Sequence, residues 1–109
     1  FVSNMLFGSA YAAQETPVVD SLQNLIETST DSEALVKAYS KLCWIQRSLD
    51  PEQAIIYGNK ALQLVKKYPN LDSYKPQILN YLGVVNRNKG DYNYAMNYYL
   101  EALDCATKQ

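Results

Sequence analysis

The feature that most constrains this chain is a pattern it contains twice. Ala54-x-x-Tyr57-x-x-x-Ala61-Leu62 and Ala95-x-x-Tyr98-x-x-x-Ala102-Leu103 carry the same residues at the same spacing, every matched pair 41 positions apart. Steps of three and four residues keep such positions on neighbouring parts of one helix face. Alanine there has a mechanical purpose, because it lets a neighbouring helix approach closely where a larger side chain would overpack the contact. A supersecondary unit that recurs at a fixed distance is the sequence signature of a repeat architecture. Two helix hairpins of similar design are therefore expected, at 31–68 and 73–109.

Local punctuation agrees. Asp50-Pro51-Glu52-Gln53 reads as a helix start: Asp50 caps free backbone N–H groups, Pro51 occupies a position where its missing N–H costs nothing, and Gln53 has capping-box spacing. Lys66 and Lys67 suit the negative end of that helix, and Pro69 stops it. Gly90 sits where a helix ends in a left-handed residue, and Asp91 opens the next helix at once. Thr30 and Glu33 have capping-box spacing upstream, and Thr16-Pro17 opens a shorter segment. No strand-like alternation persists. The expected class is all-α, with about five helices near 17–29, 31–48, 51–68, 73–89 and 92–108.

Composition narrows function. A chain of 109 residues, 48% apolar and 19% charged, has material for a core. The formal net charge is −1 and no Lys/Arg cluster exists, so no nucleic-acid footprint is expected. Histidine is absent, which excludes Ser-His-Asp and Cys-His catalysis and every His-based metal site. Two cysteines, Cys43 and Cys105, are too few for a Cys-only zinc site. They read as buried free thiols, the alternative being a disulfide in an exported protein. The acidic residues are scattered at caps and solvent faces, and no phosphate loop, nucleophile elbow or dinucleotide fingerprint is present. No catalytic residue, metal or cofactor is expected.

The second hairpin carries a family resemblance. Leu79-x-x-Leu82-Gly83, the turn Gly90-Asp91-Tyr92, and Ala95, Tyr99 and Ala102 together resemble the tetratricopeptide repeat. The first hairpin is more divergent: Cys43 stands for Gly83, Gly58 for Tyr99, and the turn Ser48-Leu49-Asp50-Pro51 is about one residue shorter. The 41-residue repeat exceeds the usual length of about 34, and the excess is expected between Lys67 and Tyr74 as an extended helix and loop. The resemblance covers residues 31–109 and implies antiparallel hairpins stacked as a short right-handed solenoid, with the first helices lining a concave face.

Carried onto this chain, the family's groove positions are Lys37, Ser40, Trp44 and Arg47 from the first hairpin and Gln77, Asn80, Val84 and Arg87 from the second. Trp44 offers apolar area with few rotors, Asn80 can bond a peptide backbone, and the two arginines can fork onto carboxylates. Core filling is the other reading of Trp44. Val84 stands where the carboxylate clamp of chaperone-binding members wants asparagine, which disfavours chaperone tails. The resemblance thus implies a noncatalytic protein-interaction module for a peptide or protein segment. The Asp-Pro-Glu turn extends the likeness to sensory or scaffolding parts of larger bacterial signalling proteins.

Two expectations concern the chain's ends. Residues 1–15 are apolar, and Ala10-Tyr11-Ala12 has the small-x-small spacing of a signal-peptide cleavage site, which points to an exported, periplasmic protein. The alternative is an apolar segment packed on the helices of a cytoplasmic protein. Residues 16–30 form an N-terminal helix, and no stretch is long enough to insert in a membrane. The last helix, with Tyr94, Tyr98, Tyr99 and Leu103, has more apolar positions than one face holds. It is expected to leave apolar surface open, so a homo-oligomer or assembly element with an empty groove is the competing reading.

Overall fold

A computed structural model of the chain describes residues 17–108. The signal-like segment 1–15 falls outside them, as does Thr16 at the expected start of the first helix. The described residues form α1 (17–28), α2 (Ser32–Gln46), α3 (Pro51–Lys67), α4 (Lys75–Lys89) and α5 (Tyr92–Lys108), with a 3-10 helix at Pro69–Tyr74 between α3 and α4. No strand occurs among them. The all-α expectation holds, and the helices start and stop close to where their caps and breakers put them.

The caps show why. Asp50 accepts a hydrogen bond from the Gln53 N–H at 3.2 Å, with Pro51 in the first turn. Gly90 adopts φ 87°, and the N–H groups of Gly90 and Asp91 close on the carbonyls of Arg87 and Asn86 at 3.0 and 2.8 Å. This left-handed stop lets α5 follow α4 directly, which turns the two helices into a hairpin. Two local expectations are corrected. Asp31, not Thr30, caps α2, accepting from the Glu33 N–H at 3.2 Å. The stretch after Lys67 is not a longer helix and open loop: Pro69 stops α3, and the chain winds into a 3-10 helix that buries Leu71.

Packing follows the repeat. α2 lies on α3 and α4 on α5, while α3 packs on α4 and α2 touches α4. The shortest dimension of the Cα trace is 16 Å, as for two packed helices whose axes are about 8–10 Å apart. Ala54, Ala61, Ala95 and Ala102 are all buried. The core runs from Val36, Leu42 and Cys43 through Tyr57 and Val65 to Leu82 and Val85. α1 lays Val19, Leu22 and Ile26 against it, and Gln23 donates to the Tyr57 hydroxyl at 3.3 Å.

Each helix pair solves its crossing with one glycine, placed on opposite partners. In the first, a Cβ on Gly58 of α3 would stand 3.2 Å from the Cys43 sulfur and only 2.6 Å from Leu82 of α4. In the second, the glycine is Gly83 of α4, and a Cβ there would fall 2.5 Å from the Tyr99 ring of α5. Gly58 therefore serves two contacts, within its hairpin and between hairpins. Cys43 is fully buried, its pKa pushed up to about 12 by desolvation, so it is a protonated packing group at neutral pH. Both cysteines are free thiols. The pairs are tied at their ends as well. Lys89 reaches Glu52 at 2.7 Å and Asp91 at 3.6 Å, while the Asn88 amide donates to the Arg47 carbonyl and the Ser48 hydroxyl, both at 3.2 Å.

Candidate functional site

The surface between α2 and α4 is concave. Lys37, Ser40, Lys41 and Trp44 from α2 face Gln77 and Tyr81 from α4, with Tyr74 at the end of the 3-10 helix, around a space of about 330 Å³. Helix periodicity builds each wall: on α2 the lining residues recur at steps of three and four, and Gln77 and Tyr81 are one turn apart on α4. The lining includes an aromatic pair. The Trp44 and Tyr81 rings lie 4.7 Å apart at 30°, both half-buried, within the range of favourable ring pairs. Arg47 is folded back on Trp44, its guanidinium carbon 4.0 Å from the ring centroid and its Nη1 donating to the Trp44 carbonyl at 2.8 Å.

Of the eight positions carried over from the resemblance, Lys37, Ser40, Trp44 and Gln77 meet in this concavity. Ser40 is buried, and its hydroxyl donates to the Val36 carbonyl at 2.7 Å, so it shapes the wall. Arg47 holds Trp44 in place. Asn80 and Arg87 are exposed and Val84 is half-buried, and none of the three lines the space. Val84 follows Gln77 and Tyr81 on the same stripe of α4 but lies beyond the recess, toward the end where Asn88 bonds Arg47 and Ser48. Tyr81, Tyr74 and Lys41 were not singled out from the sequence. A signal for Tyr81 existed: it follows Gln77 by four residues, one turn further along the same face of α4.

Electrostatics mark one edge. Tyr74 donates from its hydroxyl to Glu33 at 2.6 Å, which fastens the 3-10 helix to the start of α2. That bond, with Lys37 nearby, holds the Glu33 carboxyl below the usual range; the same bond raises the Tyr74 phenol, against the opposing pull of Lys37. Lys37 stands 3.7 Å from Glu33, an exposed i,i+4 pair of the kind that contributes little. Lys41 is exposed and has no ion-pair partner among the described residues. Both lysines also border a second concavity of about 440 Å³ between α1 and α2, lined by Leu22 and Leu25 of α1, by Ala34 and Ala38, and by the carboxylates of Asp31 and Glu33.

Elsewhere, α5 leaves Tyr92, Met96, Leu100 and Leu103 between 56% and 69% exposed, as its surplus of apolar positions predicts. Tyr94 is exposed and Tyr98 half-buried. Among the described residues no group of three or more His, Cys, Asp or Glu could hold a metal ion, and no helix is long and apolar enough to cross a membrane. No protein-family model, curated protein or solved structure matches the chain significantly.

Proposed function

We propose that this chain is a noncatalytic protein-interaction module of the tetratricopeptide type, its two helix pairs stacked in a right-handed sense, and that it holds a peptide or protein segment against the face between α2 and α4. The observation that carries this reading is the half-buried Trp44–Tyr81 pair lining an open concavity between the first helices of the two pairs. Large, rigid aromatic groups in a recess are what recognition surfaces use as anchors. The repeated Ala-x-x-Tyr-x-x-x-Ala-Leu pattern and the burial of its four alanines support the repeat reading. The Asp50-Pro51-Glu52 turn and the signal-like N-terminal sequence support a sensory or scaffolding part of a larger exported bacterial signalling protein.

Selection of a random peptide library on the protein tests it. Selected binders should lose at least tenfold in affinity on the double variant Trp44→Ala/Tyr81→Ala and keep it on Met96→Ser/Leu103→Ser. A library that yields no binder, or binders indifferent to the first variant, overturns the reading.

The open apolar stripe on α5 favours a second reading, an assembly element that self-associates through that helix. It predicts a sedimentation-equilibrium mass that rises with concentration and returns to monomer in Leu103→Ser. A monomer at all concentrations removes it.

A further inference from the structure

The two concavities beside α2 share Lys37 and Lys41, and this sharing says more about the occupant than either recess alone. One recess includes the aromatic pair Trp44 and Tyr81 in its lining; the other is lined by the aliphatic Leu22, Leu25, Ala34 and Ala38, with the carboxylates of Asp31 and Glu33 beside them. The lysines stand one turn apart on the ridge between them. We infer that the peptide received by this face carries a carboxylate flanked by two apolar side chains, the carboxylate crossing α2 at Lys41 and Lys37, and the apolar groups entering the aromatic and aliphatic recesses. The inference rests on the interaction-module reading above and adds the ligand's chemistry to it.

Charge complementarity chooses the acid. Lys41 is unpaired among the described residues, and Lys37 is held only by a long, solvated contact to Glu33. Glu33 itself is drawn aside by the Tyr74 hydroxyl at 2.6 Å, so its charge is fixed at one end of the ridge. A carboxylate arriving beside Lys41 therefore meets an ammonium with no competing partner, next to apolar walls that strengthen the attraction. A lysine or arginine at the same place would face both ridge cations, while the two carboxylates of the surface are already engaged, Asp31 with the Glu33 N–H and Glu33 with Tyr74 and Lys37. Geometry sets the spacing: the recesses lie on either side of one helix, about 10 Å across, which three to four extended residues cover at about 3.3 Å each. The expected pattern is apolar, then one or two acidic residues, then an aromatic residue.

Trp44 is the only tryptophan and lines the aromatic recess, so its emission reports occupancy directly. Three twelve-residue peptides with Gly/Ser flanks would be titrated, with the centre Leu-Glu-Glu-Phe, Leu-Gln-Gln-Phe or Leu-Lys-Lys-Phe. The acidic peptide should shift Trp44 emission and bind at least tenfold more tightly than the glutamine one, and the lysine one should not saturate. Raising the salt should weaken only the acidic peptide. On Lys41→Glu the order should reverse, with circular dichroism and Tm confirming that the exposed substitution leaves the fold intact. Equal binding of all three, with the Trp44 shift retained, overturns the carboxylate and leaves the module reading standing. Tight acidic binding that ignores Lys41→Glu also overturns it, because the anion is then held elsewhere. Absence of any binding overturns it too, and the library selection then decides separately whether the face binds peptides at all.

Discussion

Leu82→Ala is expected to lower the unfolding free energy by about 3–4 kcal/mol, near the middle of the range for truncating a buried leucine. Leu82 is fully buried in the core cluster, where it sits against Gly58 across the junction of the two helix pairs. Truncation removes its hydrophobic transfer free energy and leaves a gap that the surrounding backbone cannot fill, because the Gly58 side of the contact has no side chain to move in. For a domain of this size the loss lowers Tm by roughly 15–20 °C. Urea unfolding followed by circular dichroism checks it. The two pairs share one core, so the midpoint should fall while the slope stays constant and the transition stays single. A loss below about 1 kcal/mol, or two separate transitions, would mean that the pairs are held together elsewhere.

The second large effect comes from the other side of the same contact. Gly58→Val should destabilise by about 3 kcal/mol, because the new Cβ would lie 2.6 Å from one Leu82 methyl and 2.9 Å from its branch carbon, with Cys43 sulfur at 3.2 Å behind. Those atoms belong to side chains with no solvent to retreat into. Leaving glycine normally improves a helix interior by up to about 1 kcal/mol, so the sign of the measured change reports which effect wins. In a Leu82→Ala background the added methyl groups enter the gap, and the cost of Gly58→Val should fall below about 1 kcal/mol, a coupling that a double-mutant cycle reads. Gly83→Ala is the internal comparison. Its Cβ meets the Tyr99 ring at 2.5 Å, but Tyr99 is half-buried on the outermost helix and can rotate outward, so the penalty should be smaller.

These contacts also show what the amino-acid order reveals. Helix ends are legible because caps act over three or four residues: Asp50-Pro51 and Gly90 mark their boundaries by chemistry that needs no tertiary partner. The alanine repeat is legible because small residues at fixed spacing imply close approach, and all four repeated alanines are buried. The exchange of small for large between Cys43/Gly58 and Gly83/Tyr99 was visible as a mismatch with the family pattern, but its meaning needed the crossing geometry. The site was half legible. Lys37, Ser40, Trp44 and Gln77 meet as the carried-over positions imply, whereas Asn80, Val84 and Arg87 do not join them. A recess between two helices is built from the flanks that face each other, and a sequence without its partner helix does not say which flank that is. Tyr81 and Lys41 lie on those flanks. Arg47 shows a second limit: a side chain expected to reach a ligand instead covers its own neighbour, Trp44.

The most direct measurement of the central claim, that the face between α2 and α4 receives a peptide, is amide chemical-shift mapping with a peptide taken from the library selection. Perturbations should concentrate on residues 37–44 and 74–81, with the Trp44 indole N–H among the largest, and should leave α5 unmoved. Shifts that instead follow Tyr92, Met96 and Leu103 along α5 would contradict the claim and make that helix the binding surface.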